Sequence, residues 1–250
     1  MKRAATCLQI DVGNSAAKWR LIVDNGVQSR GTYLVDDAES QQALLDCSAA
    51  LDQIWIASVA SPAIESRLAV TLEQRWNKKP WFARTQSTSC GLTNSYSEPG
   101  RMGVDRWLAM LAAWRDAGER VCVVDAGSAL TIDLVAADGQ HEGGFIIPGA
   151  SLMERALFLD TDRVRFAEDV GFGLAPGRST AEAVRHGISL AQAGAVRLAL
   201  ARSAEPAPQL VYSGGGGQLL MALADEGGEY RGDLVFEGLQ LMAEADSESA

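Results

Sequence analysis

Two short apolar runs in this chain each end in Asp-X-Gly followed by a small polar residue. The first is Leu8-Gln9-Ile10-Asp11-Val12-Gly13-Asn14-Ser15 and the second is Val121-Cys122-Val123-Val124-Asp125-Ala126-Gly127-Ser128. Each continues into a strand-like stretch, Ala16 to Val23 or Ala129 to Val135, and then into Asp24-Asn25-Gly26 or Asp138-Gly139. Such turns supply the positive φ that a tight hairpin requires. The same strand-turn-strand device at matching positions is an internal duplication, which restricts the fold to one built from two similar halves.

The chemistry that suits such a bend is phosphate handling. A glycine lets the backbone approach a phosphate closely, and successive N–H groups in a turn form an anion-binding concavity. Asn14, Ser15 and Ser128 add side-chain donors, while Asp11 or Asp125 offers a carboxylate to a cation, directly or through water. One Asp-X-Gly is ordinary punctuation at a strand end. Two facing bends are able to grip one polyphosphate from both sides.

A chain of 250 residues with 47% hydrophobic content is long enough to fill two modest cores. Its net charge of −10 argues against a nucleic-acid or anionic-membrane surface as its main business. The four cysteines, Cys7, Cys47, Cys90 and Cys122, form no CxxC pair, and His141 and His186 form no ligand cluster. Reduced thiols in a cytoplasmic protein are the expectation. Met1-Lys2-Arg3 resembles the start of a signal peptide, but Gln9 and Asp11 break the apolar stretch behind it, and no run reaches membrane-span length.

The pattern predicts a third strand over 27–35, a helix over 38–51 entered through Asp36 and Asp37, a strand over 54–59, a helix over 61–76 with Pro62 in its first turn, and a strand over 81–84. Residues 85–102 are polar and aperiodic, which predicts a surface loop beside a site. A helix over 104–114 follows, with Trp107, Leu108 and Leu111 on one face, closed by Gly118. The second half is expected to repeat the order: strands at 121–124, 129–135 and 140–147, helices over 151–159 and 180–202, a strand at 210–213 running into Gly214-Gly215-Gly216-Gly217, and helices to 224 and over 234–243. The acidic end, 244–250, reads as a disordered tail. This gives an α/β protein with a first half over 1–118 and a second over 119–250. Three strands followed by alternating helices and strands, occurring twice, is the pattern of the actin-like ATPase and sugar-kinase architecture.

No Walker-type G-x-x-x-x-G-K-[ST] is present, and the glycines at 171–177 have the wrong spacing for a dinucleotide fingerprint. The glycine run at 214–217 reads equally as a place for backbone to pack under a ligand or as a flexible helix entry. Gly103-Val104-Asp105-Arg106 opens the helix after the long loop. Its aspartate is either a helix cap or, with the arginine beside it, part of a pair that orients a hydroxyl and binds a carboxylate. The glycines of Gly143-Gly144-Phe145-Ile146-Ile147-Pro148-Gly149 suit close packing or the end of a sheet.

Taken in order, Asp11-Val12-Gly13-Asn14-Ser15, Asn94-Ser95-Tyr96, Gly103-Val104-Asp105-Arg106, Asp125-Ala126-Gly127-Ser128-Ala129, Gly143-Gly144 to Pro148-Gly149, and Gly177-Arg178-Ser179-Thr180 resemble the motifs of the type III pantothenate kinase family. The resemblance spans residues 8 to about 215. It implies two ribonuclease-H-like (actin-like ATPase) domains with an interdomain nucleotide cleft. The implied activity is ATP-dependent phosphorylation of pantothenate to 4′-phosphopantothenate, the first step of coenzyme A biosynthesis. A homodimer that uses Mg2+ and a monovalent cation, K+ or NH4+, is implied as well.

Carried over residue by residue, the family's first phosphate loop falls on Asp11, Val12, Gly13, Asn14, Ser15, Ala16, Ala17 and Lys18, with Asp11 toward Mg2+, directly or through water. Lys18 is either a point charge for phosphate or a solvated strand lysine. The general base falls on Asp105, the pantothenate pocket on Tyr96, Gly103, Val104, Asp105 and Arg106, and a contact near the dimer interface on Thr180. The monovalent-cation ligand falls on Asp125 and a phosphate-contacting hydroxyl on Ser128. Two positions depart from the family pattern: Ser128 stands where threonine is usual, and Gly216 stands where an acidic residue usually follows the second glycine, on the purine side. The alternatives are a non-catalytic regulatory protein on the same fold and an actin-like ATPase acting on another small acceptor. Retention of Asp11, Asp105 and Asp125 disfavours the non-catalytic alternative.

Overall fold

The computed structural model of the chain describes residues 6–35, 37, 39–161 and 164–249. The cap candidate Asp36 and the Met1-Lys2-Arg3 segment lie outside the described residues. In chain order the elements of the first half are β1 (Thr6–Val12), β2 (Ala16–Val23), β3 (Gly26–Leu34), α1 (Gln42–Leu45), β4 (Gln53–Ser58), α2 (Pro62–Trp76), β5 (Trp81–Phe82), β6 (Thr88–Ser89), β7 (Leu92–Thr93) and α3 (Val104–Ala117). They are followed by β8 (Val121–Ala126), β9 (Ala129–Val135), β10 (His141–Pro148), α4 (Ala150–Asp160), α5 (Thr180–Ala201), β11 (Gln209–Ser213), α6 (Gly217–Ala224), β12 (Glu229–Tyr230) and α7 (Leu234–Ser249).

The duplication is realised strand for strand. One sheet has the order β3-β2-β1-β4-β5 and the other β10-β9-β8-β11-β12. In each, three strands meander antiparallel, and the strand of the Asp-X-Gly motif takes a parallel neighbour on its other side, β4 beside β1 and β11 beside β8. The carboxyl ends of the two central strands therefore both lead into a bend. The first hairpin closes through Asp24 and Asn25 at φ 50° and 66°, two successive left-handed residues that match the twist of the flanking strands.

The chain divides into two compact units, Met1–Ala112 with Leu234–Ala250, and Ala113–Asp233. This membership differs from a cut at Gly118: the division falls inside α3, and α7 belongs with the first sheet. A Cβ on Gly238 of α7 would stand 2.0 Å from the carbonyl oxygen of Leu108 in α3, so only glycine admits this close crossing. In the first unit, alternate residues of β1 (Leu8, Ile10 and Val12) join Trp19, Ile54, Ile56, Leu68 and Leu72 in one core. In the second, Cys122, Val124, Leu130 and Ile132 pack on Ala193 and Val196 of α5.

Three expectations are corrected. The helix expected over 38–51 is only the four residues of α1. Carbonyls that its continuation would have used are taken by α2: Arg75 donates to Leu45 O (2.9 Å) and Ser48 O (3.3 Å), and Trp76 Nε1 to Ser48 O (3.0 Å). The loop expected over 85–102 contains the β6–β7 hairpin, turned through Cys90 and Gly91 at φ 51° and 90°. A cysteine is an unusual carrier of that conformation, so residue identity concealed the turn. The acidic end is helical through Ser249, where a disordered tail was expected. Ser247 Oγ donates to Ala243 O (2.8 Å) and Trp81 Nε1 to Asp246 Oδ2 (3.1 Å), which holds the last turns.

Candidate functional site

In the first unit the candidate residues converge at the carboxyl end of β1. Gly13 N–H donates to Ala16 O at 3.0 Å and closes the bend, with Asn14 and Ser15 exposed at its tip. Asp11 is half-buried and faces Lys18 across the β1–β2 ladder. Val12 and Ala17 are buried in the core, so they offer a ligand backbone groups only, whereas Asn14, Ser15, Ala16 and Lys18 are exposed. Val59, just beyond β4, donates its N–H to Val12 O at 3.0 Å. Its side chain lies 3.7 Å from the position a Cβ on Gly103 would take. The start of α3 is thereby seated beside the first bend.

Asp105 lies in the first turn of α3 and is half-buried. Its Oδ1 accepts the backbone N–H of Arg106 at 2.8 Å. A Cβ on Gly103 would come within 2.5 Å of that oxygen, so the glycine is what makes room for the carboxylate. The cap reading of Gly-X-Asp-Arg is seen directly, since Oδ1 makes a cap-like contact at the helix start.

Arg106 is buried, and its Nη1 donates to the Tyr96 hydroxyl at 3.0 Å. The guanidinium also stands 5.8 Å from the centroid of the Tyr96 ring. Tyr96 is placed in turn by Asn94, whose Oδ1 accepts Tyr96 N–H at 2.9 Å. Thr85 Oγ1 donates to Met102 O at 2.9 Å and ties the two ends of this loop together. Val104 is buried, which leaves its side chain in the core.

The second unit builds its bend more tightly. Gly127 N–H donates to Ala129 O (2.9 Å), and Ser128 O accepts Gly149 N–H (3.0 Å). A Cβ on Gly149 would stand 2.4 Å from Gly127 O, so the glycine ending the 143–149 stretch is required by packing against the bend. The glycine run also packs here. Gly214 has φ +79°, and a Cβ on it would lie 2.6 Å from both Ala126 O and Asp125 Oδ1. Gly216 N–H donates to Ala126 O at 2.9 Å, and Tyr230 Oη donates to Gly214 O at 3.1 Å. Residues 214–217 thus form the entry to α6, packed closely against the second bend. Tyr230 carried no sequence signal, because β12 is two residues long.

Asp125 is half-buried between these segments, and Ser128 is exposed at the bend. Among the described residues no three or more His, Cys, Asp or Glu side chains are grouped to hold a metal ion. Each bend brings one half-buried carboxylate, Asp11 at the first and Asp125 at the second. Such a donor set suits a hard cation that completes its shell with water and phosphate oxygens rather than a transition metal in a protein cage.

Thr180 is exposed at the first position of α5. Ser179 Oγ accepts Glu182 N–H (3.2 Å), and Glu182 Oε2 accepts Arg178 N–H (2.6 Å), an arrangement close to a capping box and legible as Ser-X-X-Glu. A Cβ on Gly177 would stand 2.3 Å from Ala183 N, so this entry too depends on glycine.

With this geometry in place, the sequence relatives are decisive. The type III pantothenate kinase family matches residues 7–203. A type III pantothenate kinase from Marinobacter nauticus is 37% identical over 95% of this chain and 98% of its own length. One from Pseudomonas aeruginosa PAO1 is 38% identical over 94% and 97%. The chain belongs to the type III pantothenate kinase family. Among solved structures, a conserved Baf family protein from Campylobacter jejuni superposes with a TM-score of 0.65 at 23% identity, covering 96% of this chain and 99% of its own. Component A of (R)-2-hydroxyglutaryl-CoA dehydratase from Acidaminococcus fermentans does so with a TM-score of 0.53 at 13% identity, covering 98% and 99%. These two likenesses show the fold alone, that of the actin-like ATPases and sugar kinases.

Proposed function

We propose that the protein transfers the γ-phosphoryl group of ATP to the primary hydroxyl of pantothenate, giving 4′-phosphopantothenate and ADP in the first step of coenzyme A biosynthesis. The observation that carries this reading is the Asp105 carboxylate, held at the start of α3 and seated through Gly103 and Val59 beside the first Asp-X-Gly bend. Asp105 accepts the proton of the pantothenate hydroxyl as its oxygen attacks the γ-phosphorus, and the bond to the bridging oxygen of ADP breaks in line. Arg106, pre-positioned by Tyr96, pairs with the pantothenate carboxylate. Backbone N–H groups of the bend and the Asn14 and Ser15 side chains orient the phosphates, so that catalysis is largely positioning. The exposed Ser128 hydroxyl reaches phosphate from the second bend, and Thr180 contacts pantothenate.

Asp11 would hold Mg2+, directly or through water, and Asp125 a monovalent cation, K+ or NH4+. When bound, these ions offset the negative charge of the phosphates. A homodimer working in the cytoplasm, without nucleic acid or membrane as partner, completes the proposal. No helix among the described residues is long and apolar enough to cross a membrane.

The test is one incubation of the purified protein with ATP, Mg2+, K+ and pantothenate, read by mass spectrometry and ADP release. Phosphopantothenate with ADP release that depends on pantothenate is the expected result. ADP without an acceptor points to an ATPase. A well-folded, cation-supplied sample that leaves both substrates unchanged overturns the kinase reading and favours a regulatory protein.

A further inference from the structure

In the second sheet β8, β11 and β12 run parallel, with Asp125 opposite Ser213 and Tyr212 opposite Tyr230. All three strands therefore end on the same side, and parallel strands receive ligands beyond their carboxyl ends. Neighbouring strands lie about 4.8 Å apart, which puts the end of β12 roughly 10 Å from the strand of Asp125. A ribose with its first phosphate spans a gap of that order.

Tyr230 closes β12, and 39% of it is exposed. The remainder of the side chain is held on three sides. Its hydroxyl donates to Gly214 O at 3.1 Å. One ring edge lies against the start of α6, where a Cβ on Gly217 would come within 3.1 Å of Cε2. The opposite edge faces Gly232, where a Cβ would come within 3.5 Å of Cε1. The next residue is anchored as well, since Arg231 N–H donates to Tyr212 O at 2.8 Å and its Nη1 to Asp116 Oδ2 at 2.9 Å. An aromatic ring already fixed in this way loses little freedom when a flat ligand covers it.

The wall beside the ring carries no side chain. Gly215 and Gly216 are exposed, and a Cβ on Gly215 would meet nothing within 4 Å, so the space over it is open. The N–H of Gly216 is taken by Ala126 O (2.9 Å) and that of Gly217 by Gly214 O (3.1 Å). Residues 215 and 216 therefore offer a ligand close approach, and the ring offers it a π face. A single exposed tyrosine is ordinary on a protein surface. This one is bonded to Gly214, the glycine whose Cβ would stand 2.6 Å from Asp125 Oδ1, so ring, glycine run and second bend form one continuous wall.

We propose that the exposed surface of the Tyr230 ring is the platform on which the purine base of the nucleotide stacks, with the phosphates extending past the glycine run toward the second bend. The inference rests on the kinase reading for the presence of a nucleotide, and it adds the residue that selects the base. Stacking acts through the π face of the base, and a two-ring purine covers more of the tyrosine than a one-ring pyrimidine. Tyr230 thereby favours purine over pyrimidine nucleotides.

Calorimetric titration of ADP, CDP and inorganic pyrophosphate into the full-length protein, with Mg2+ and K+ and without pantothenate, reads the base separately from the phosphates. The parent should bind ADP more tightly than CDP. Tyr230→Ala should weaken ADP binding about tenfold and remove most of the preference over CDP, while pyrophosphate binds as it does to the parent. Tyr230→Phe loses the bond to Gly214 O but keeps the ring, and should restore most of the ADP affinity and the preference. In steady state Tyr230→Ala should raise KM for ATP far more than it lowers kcat. A ring that only props the glycine run would give the opposite pattern, with ADP and pyrophosphate weakened alike and no rescue by phenylalanine, and this would overturn the proposal. If phosphopantothenate forms while Tyr230→Ala binds ADP like the parent, the platform falls and the kinase reading stands. If ADP affinity follows Tyr230 but pantothenate is left unchanged, the platform stands and the acceptor is wrong. A parent that binds no ADP overturns both.

Discussion

Gly214 stands against Asp125 so closely that a Cβ on the glycine would lie 2.6 Å from the carboxylate oxygen Oδ1. The glycine run and the second Asp-X-Gly bend are therefore one piece of architecture. Ser213 and Asp125 are register partners in the β11–β8 ladder, so the ends of both strands deliver their loops to the same place. The absence of a side chain at Gly214 sets the position of the carboxylate proposed to hold a monovalent cation.

A substitution pair separates this packing role from general flexibility. Gly214→Ala places a methyl group at φ +79° and within 2.6 Å of two oxygens, and should cost about 2–4 kcal/mol in stability along with most of the activity. Gly215→Ala meets no atom within 4 Å and should be nearly neutral in both. Chemical denaturation and initial rates of the two variants check this. Equal effects at the two positions would mean that the run matters only as a flexible hinge.

Asp105→Asn keeps the side-chain shape and the oxygen that accepts Arg106 N–H, but it lacks a base. The turnover number should fall by about two to four orders of magnitude, while the melting temperature and ATP binding stay near those of the parent. Steady-state kinetics with calorimetric ATP titration measure both. A variant with nearly full kcat would leave Asp105 as a helix cap alone.

Burial also sets how the protein responds to alkali. It pushes the thiols of Cys7 and Cys122 up to about 12 and that of Cys47 to about 11, from an ordinary 9.0. Tyr33 and Tyr212 rise from 10.0 to about 12 for the same cause. Each group keeps its proton longer in the folded state than in the unfolded one. The stability associated with the neutral forms is therefore complete below the unfolded values and is lost as pH rises from 9.0 toward about 12. Urea unfolding should show a lower midpoint at pH about 10.5 than at pH about 8. A midpoint unchanged across that interval would contradict the burial of these groups.

Much of this arrangement was legible in the sequence because it is carried by glycines and carboxylates at fixed spacing. The two Asp-X-Gly bends, the strand triplets and the start of α3 at Gly103-Val104-Asp105 all follow from local pattern. What escaped was decided by distant partners. The stop of α1 depends on Arg75 and Trp76 reaching back from α2, and the helical end of α7 on Trp81. The place of Gly149 against Gly127 and of Tyr230 against Gly214 joins segments far apart in the chain, and no window of sequence contains both members. Val12, Ala17 and Val104 show the converse limit, since a motif names a residue without saying whether its side chain or only its backbone faces a ligand.

The second bend also predicts a salt-specific activity. Asp125 offers one half-buried carboxylate, and among the described residues no His, Cys, Asp or Glu cluster of three or more would favour a transition metal. K+ loses its hydration water readily and accepts irregular oxygen coordination, whereas Mg2+ holds its water and demands octahedral geometry. Replacing K+ by Na+ at constant ionic strength, with Mg2+ saturating, should therefore reduce the rate sharply. Asp125→Ala should be inactive in either salt, because the proposed monovalent cation then has no carboxylate to hold it. Ser128→Ala in the same bend should keep the K+ preference while weakening ATP binding by about tenfold, the scale of one lost hydrogen bond to a charged group. Equal rates in K+ and Na+ would remove the selective site from Asp125 and leave that carboxylate either to Mg2+ or to shaping the turn.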